Sequence, residues 1–144
     1  GLIYEILIYP KHLDYACQMV EQFPNQAFVL DHIAKPDIKN QKIESWAEGL
    51  AKIAAFSNVS VKVSGMVTEA DHKWWKPGDI YPYLEVIWKE FGEDRIMVGS
   101  DWPVCLLAAS YSQVICLAEG FFESFSDDIN NKVFGDNARR IYRL

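Results

Sequence analysis

Reactive side chains occur at or near the ends of four apolar runs in this sequence. These residues are Tyr9, His32, Lys62 and Asp101. Apolar runs of this kind are typical of strands in a parallel sheet, whose carboxyl ends meet at one edge where ligands bind. An imidazole can polarise a carbonyl, a carboxylate can take a proton from water, and an ammonium can pair with an oxyanion. The combination of His32, Lys62 and Asp101 therefore predicts a chemical site at that edge.

Each of these residues has a plainer explanation when it is taken alone. Asp101 can cap the turn in which it lies, and Lys62 can extend its stem to solvent at the sheet margin. His32 can be a histidine that bonds a backbone carbonyl. His12 is interpreted as a surface residue, and His72, in a polar loop, is not expected in the site.

Tryptophans flank the same predicted edge, at Trp74, Trp75 and Trp102. Aromatic faces suit sugar rings, which predicts substrate contacts, although a loop tryptophan as often fills a hydrophobic gap. A catalytic zinc site typically needs three protein ligands. The sequence offers His32 and Asp101 but no His-x-His, so these two residues alone predict only part of a metal site.

The elements that must position these residues alternate between strand and helix. Four strands are predicted, at Leu2 to Tyr9, Ala27 to Leu30, Val59 to Val63 and Ile96 to Val98. The first run is apolar at nearly every position, which predicts a strand covered on both faces. Helices are predicted at Leu13 to Phe23, Ile43 to Ala54, Ile80 to Phe91 with Asp79 as its cap, Tyr111 to Phe125, Ser126 to Phe134 and Ala138 to Tyr142.

Regular alternation of this kind predicts an α/β fold of right-handed βαβ units with a parallel sheet. Four such units are half of an eight-unit barrel, and they could also form a small open sheet of flavodoxin type. No glycine-rich phosphate loop follows any strand, so a nucleotide or flavin fold has little support. Because the composition does not shift along the chain, we expect residues 1–144 to form a single domain.

Charge and cysteine content limit the partners and the compartment. The net charge of −6 argues against nucleic acid or an anionic membrane surface as a partner. No apolar run approaches the roughly 20 residues that span a bilayer. The cysteines Cys17, Cys105 and Cys116 are few and widely spaced, which predicts free thiols in a reducing, cytoplasmic compartment.

Four motifs, in this order, resemble a known family. They are Val29-Leu-Asp-His-Ile-Ala-Lys-Pro36, Val61-Lys-Val-Ser-Gly65, Val98-Gly-Ser-Asp-Trp-Pro103 and Phe134-Gly-Asp-Asn-Ala-Arg-Arg-Ile-Tyr142. Over essentially its whole length the chain is similar to amidohydrolase-related proteins. The branch it resembles is that of the sugar-lactone hydrolases, which includes L-fuconolactonase-like and 2-pyrone-4,6-dicarboxylate lactonase-like enzymes.

The resemblance implies a TIM (β/α)8 barrel of which these strands are the fifth to the eighth. Asp101 matches the aspartate that activates water, and His32 matches the histidine that helps to polarise the lactone carbonyl or hold the site together. Lys62 is placed only as a possible substrate contact. The family's strand-one His-x-His, which supplies metal ligands or carbonyl-polarising histidines, is absent. The resemblance implies one divalent metal such as zinc in the complete enzyme and none held tightly by this chain.

The sequence and the resemblance together predict the carboxyl-terminal half-barrel of a lactone hydrolase. We expect this chain alone to be inactive and to associate either with itself or with a missing amino-terminal half-barrel. The alternatives are a metal-dependent decarboxylase or amide hydrolase of the same superfamily, and a non-catalytic half-barrel that serves as a binding or assembly module.

Overall fold

A computed structural model describes residues 1–144 and contains one parallel sheet of four strands. The strands are β1 (Tyr4–Ile6), β2 (Phe28–Leu30), β3 (Val59–Val63) and β4 (Ile96–Val98), and they lie side by side in chain order. Adjacent strands are joined through helices, as the alternating pattern predicts. Because all four strands are parallel, their carboxyl ends lie along one edge of the sheet.

The strand register divides the sheet into two chemically different faces. Ile6, Leu30 and Val61 are in register on one face, and all three belong to the main hydrophobic core beneath the helices. The neighbouring positions alternate to the opposite face, where Glu5 and Lys62 lie. Polar side chains are therefore available on that opposite face and at the carboxyl edge.

The prediction that the first strand is covered on both faces is wrong. Strand β1 spans only Tyr4–Ile6, and of its three residues only Ile6 is buried. Leu2, Tyr4 and Leu7 are more than half exposed. The physical reason is position, because β1 pairs with β2 alone and has no neighbour on its other side.

Helices cover the core face of the sheet and continue to the carboxyl terminus. Their bounds are α1 (Leu13–Gln22), α2 (Glu44–Ala54), α3 (Met66–Glu69), α4 (Pro77–Phe91), α5 (Tyr111–Phe122), α6 (Asp127–Asn131) and α7 (Asn137–Tyr142). A π-helical turn, Lys132–Asp136, joins α6 to α7. None of these helices combines the length and the apolar character needed to cross a membrane.

The start of α4 differs from the prediction that Asp79 is its cap. The helix begins three residues earlier than predicted, at Pro77, and the Asp79 carboxylate accepts a hydrogen bond of 3.0 Å from the Lys76 backbone N–H. Proline suits the first helical position because it has no N–H to satisfy. Asp79 still stabilises the helix start, but from its third residue.

Arg95, which precedes β4, ties three elements together. Its half-buried guanidinium donates hydrogen bonds to the backbone carbonyls of Ala54, Phe56, Val59, Glu90 and Phe91. These carbonyls lie at the end of α2, before and in β3, and at the end of α4. Carbonyls at helix ends have no partner within the helix, so Arg95 satisfies groups that would otherwise be buried without one.

Replacing Arg95 with methionine is expected to lower the free energy of unfolding by about 3 kcal/mol or more. Hydrogen bonds to charged groups contribute roughly 1.5–3 kcal/mol each, and several carbonyls would lose their partner together. Chemical denaturation measures the change. The control is Arg139→Met, which removes an exposed pair with Asp136 and is expected to cost less than about 1 kcal/mol. Equal losses in the two variants would contradict this role for Arg95.

Candidate active site

His32 lies in a left-handed turn directly after β2. Residues His32, Ile33, Ala34 and Lys35 all have positive φ, at 50°, 47°, 58° and 49°. This conformation costs an L-residue roughly 1–2 kcal/mol, and it is a clear outlier for a β-branched residue such as Ile33. Strain of this kind persists only where the surrounding structure enforces it, and it is concentrated at functional sites.

Contacts from two helices and from Gly65 hold this turn. The indole Nε1 of Trp46, in α2, donates a buried hydrogen bond of 2.7 Å to the Ile33 carbonyl. Lys35 forms an ion pair with Glu69 of α3, and both side chains are mostly buried. Gly65 has a φ of 65°, and a Cβ placed there would lie 2.9 Å from the Cβ and Cγ of His32. The imidazole is therefore packed against a backbone that only glycine allows to come so close.

Asp101 faces His32 across the carboxyl edge of the sheet. It follows β4 with a φ of 57°, which aspartate tolerates better than most residues. Its Oδ1 lies 3.7 Å from His32 Nε2, and the two side chains retain 14% and 21% exposure respectively. This separation is too long for a direct hydrogen bond, and it leaves both groups accessible to a small molecule or an ion. Two of the three residues that define the predicted site are thus brought together.

Ser64, which the sequence reasoning missed, completes this cluster. It is the first residue after β3, is 2% exposed, and its Oγ lies 2.8 Å from His32 Nδ1. The signal was its position, because Ser64 directly follows its strand at the same edge of the sheet where Asp31 and Gly99 follow theirs. The arrangement is Ser64–His32–Asp101, with each ring nitrogen facing one oxygen.

Lys62 lies on the face of the sheet opposite to the core, in a network of charged and polar groups. Its Nζ donates a hydrogen bond of 2.8 Å to Glu5 Oε1. It also lies 3.0 Å from Asp31 Oδ1, but the angles of this second contact do not suit a hydrogen bond, so it is an ion pair only. The Tyr142 hydroxyl also donates to Glu5. Burial alone would lower the pKa of Lys62, but its contacts with these three groups outweigh burial and raise it above the usual lysine range. A substrate contact by Lys62 stays a prediction.

This network makes stability depend on pH in the acid range. The hydrogen bonds from Lys62 and Tyr142 hold the pKa of Glu5 below its ordinary value of 4.5. A lowered carboxyl pKa stabilises the fold above the ordinary value, and that stabilisation is lost as the pH falls through the folded-state pKa. The Glu5→Gln variant should therefore lose less stability than wild type when the pH is lowered from neutral to acid. Thermal unfolding at each pH measures the loss. Glu21→Gln, on the exposed face of α1, is the control, and its stability should depend on pH as that of wild type does. A Glu5→Gln variant with the same pH dependence as wild type would refute the effect.

The three tryptophans differ in their environment. Trp74 is 81% exposed and Trp102 is 62% exposed. Trp75 is partly buried, and its Nε1 donates to the Ala108 carbonyl at 2.9 Å. Trp102 adjoins Asp101 in the chain, so it is the one of the three that is tied most closely to the site. Substrate binding by all three stays a prediction.

A separate cleft lies away from this cluster. Its volume is about 830 Å³, and its lining includes Tyr9, Asp14 and Lys52 but neither His32 nor Asp101. Lys52 and Asp14 pair with each other at 2.9 Å, so two of the charged groups there already have partners. We place the candidate active site at the sheet edge, where reactive groups with available atoms converge.

Comparisons of this chain with known proteins agree on one family. The sequence model of the amidohydrolase family matches residues 1–144. The L-fucono-1,5-lactonase of Burkholderia multivorans is 36% identical over 99% of this chain and 51% of its own length. The corresponding enzyme of Burkholderia ambifaria is 34% identical over 99% of this chain and 50% of its own length. The chain thus spans about half the length of the curated relatives it matches.

Solved structures extend the agreement to the fold. A crystal structure of an amidohydrolase from Burkholderia multivorans with bound zinc superposes with a TM-score of 0.95 at 35% identity, covering 99% of this chain and 52% of that chain. A putative 2-pyrone-4,6-dicarboxylic acid hydrolase from Pseudomonas putida gives a TM-score of 0.77 at 21% identity, covering 99% and 52%. The four strands match the carboxyl-terminal half of amidohydrolase barrels, as the motifs predicted. The chain belongs to the amidohydrolase family.

Proposed function

We propose that this chain supplies half of the active site of an enzyme that hydrolyses a sugar lactone to its hydroxy acid. The observation that carries the proposal is the pair formed by His32 and Asp101, whose facing atoms are 3.7 Å apart at the carboxyl edge of the sheet. The similarity to two L-fucono-1,5-lactonases supports a lactone as the substrate. A sugar lactone related to L-fucono-1,5-lactone is the substrate class we assign.

In the proposed reaction, Asp101 acts as the general base. Its carboxylate takes a proton from a water molecule as the water oxygen attacks the lactone carbonyl carbon. His32 stabilises the negative charge that develops on the carbonyl oxygen, since a preorganised donor acts most strongly where charge develops. When the tetrahedral intermediate collapses, the carbon–oxygen bond of the ring breaks, and the ring oxygen leaves as the hydroxyl of the product by taking the proton that Asp101 removed from water, which returns Asp101 to its carboxylate form.

The residues present would fit part of a zinc site. His32 Nε2 and Asp101 Oδ1 are close enough to serve as two ligands of one ion, given zinc–ligand bonds of about 2.0–2.2 Å. No group of three potential ligands occurs in this chain, so a third protein ligand would have to come from outside it. A bound zinc ion would polarise the lactone carbonyl as a Lewis acid.

The proposal also concerns the chain in isolation. Strand β1 has an open edge with unpaired polar backbone groups. Apolar side chains such as Leu2 and Leu7 are exposed beside it. Proteins normally cover surfaces of both kinds. We propose that the remaining half of a barrel, or a second copy of this chain, covers them. Without the groups that such a partner contributes, the isolated chain is expected to give no measurable lactone turnover.

A substrate panel tests the proposed reaction. The full-length protein that carries this chain would be assayed with L-fucono-1,5-lactone, other sugar lactones, an aromatic carboxylate and an amide. Turnover of sugar lactones above the other classes is expected. Release of carbon dioxide from the carboxylate, or preferred cleavage of the amide, would contradict the proposal and favour another amidohydrolase reaction. Absence of any turnover, with ligand binding retained, would favour a binding module.

A further inference from the structure

Ser64 is buried in a position that gives its hydroxyl a single partner. It is 2% exposed, and its side chain makes one hydrogen bond, of 2.8 Å, to His32 Nδ1. The backbone around it is close, because a Cβ placed at Gly99 would lie 3.4 Å from the Ser64 Cβ.

The direction of this hydrogen bond follows from burial. A serine hydroxyl has one hydrogen to donate and two lone pairs that can accept, and a buried donor without an acceptor costs roughly 1–3 kcal/mol. If Ser64 accepted from Nδ1–H, its own hydrogen would have no acceptor, since the side chain makes no other hydrogen bond. If Ser64 donates to Nδ1, both groups are satisfied. We infer that Ser64 donates to Nδ1 and so fixes the proton of the neutral His32 ring on Nε2.

In the metal-free protein this tautomer directs a donor into the candidate site, whereas a zinc ion held by Nε2 would require that nitrogen to be unprotonated. Nε2–H faces the Asp101 carboxylate, whose Oδ1 is 3.7 Å away. A substrate oxygen that enters between them would accept from Nε2–H, while Asp101 keeps its lone pairs for the proton of water. This catalytic consequence rests on the proposed lactone hydrolysis, whereas the tautomer itself does not. Ser64 is thus a positioning residue that acts through His32.

The tautomer can be read by nitrogen NMR of the full-length protein after dialysis against a chelator. Protonated and unprotonated nitrogens of a neutral imidazole resonate in well-separated regions. With histidines labelled with ¹⁵N, the His32 signals are identified by their loss in His32→Gln. The proton is expected on Nε2 in wild type and in Ser64→Thr, which keeps the hydroxyl, and a substantial Nδ1–H population is expected in Ser64→Ala. A proton on Nδ1 in wild type would overturn the inference, and so would an unchanged tautomer in Ser64→Ala.

Kinetics test the role in catalysis separately. Ser64→Ala is expected to lower kcat by roughly 10–100-fold, the usual effect of losing a partner that orients a functional histidine, with a smaller change in KM. Ser64→Thr should recover most of the rate. An unchanged kcat in Ser64→Ala would overturn this role. If the wild-type protein turned over no lactone, the proposed function would fail while the NMR result still decided the tautomer.

Discussion

Lactone hydrolysis by the full-length protein is expected to fall by roughly 10²–10⁴-fold when Asp101 is replaced with asparagine, the range typical of a lost general base. Asparagine keeps the size of the side chain but cannot take a proton from water. Asp101 and His32 face each other at 3.7 Å without a direct hydrogen bond, so the packing of the site should survive the change. Steady-state kcat/KM with L-fucono-1,5-lactone measures the effect.

A matched control separates this role from a general effect of lost charge. Glu119 is an exposed acid on α5, and Glu119→Gln removes the same charge far from the sheet edge. Its rate should equal that of wild type. Equal rates for wild type and Asp101→Asn would remove Asp101 as the base and leave the site without its proposed proton acceptor.

The second large effect is expected at Gly65, which contacts no substrate in our proposal. An alanine there would place its Cβ 2.9 Å from His32 Cβ and Cγ and 3.0 Å from Nδ1, at a φ of 65°. Because the neighbouring atoms belong to the catalytic candidate and its strained turn, relief of the clash must move the imidazole. Misplacement by about 1 Å can cost roughly 10²-fold in rate. We expect Gly65→Ala to lose about that much of kcat.

Gly92 is the appropriate control for backbone strain. It also has a positive φ, 64°, but a Cβ at Gly92 would meet no atom within 4 Å. Gly92→Ala should therefore lose stability, by roughly 1–3 kcal/mol, while the folded fraction keeps its kcat. Rates are to be normalised to the folded fraction at low temperature. Equal kcat values in the two variants would contradict the claim that Gly65 acts by positioning His32.

Much of the fold can be predicted from hydrophobic patterning, and the exceptions have physical causes. Strands β2 to β4 and the helices α2 and α4 follow from apolar runs and helical spacing, whereas the short α3 was not predicted, and the structure confirms the parallel order of the strands. The length and burial of strand β1 were overestimated, because its apolar composition suits a degree of burial that this chain alone does not provide. A sequence pattern records which side chains are apolar, but not which neighbour covers them.

The candidate site was predictable only in part. His32 and Asp101 stand out because reactive side chains follow apolar strands, and the fold brings them to one edge. The left-handed turn could not be predicted, since it contains no glycine or asparagine, and tertiary contacts such as the Trp46 hydrogen bond to Ile33 enforce it. Ser64 was missed because its position after a strand is a weak signal for a lone serine until its partner, His32, is located in space.

The most direct test of the central claim is to follow oxygen during turnover. The full-length protein would hydrolyse L-fucono-1,5-lactone in water enriched in ¹⁸O, and mass spectrometry would locate the label in the product. Attack of water on the carbonyl carbon, with Asp101 as the base, predicts one ¹⁸O atom in the carboxylate of the hydroxy acid. The labelled product should form much more slowly with Asp101→Asn than with wild type. Label in the product hydroxyl, or labelled product formed equally fast by Asp101→Asn, would contradict the mechanism.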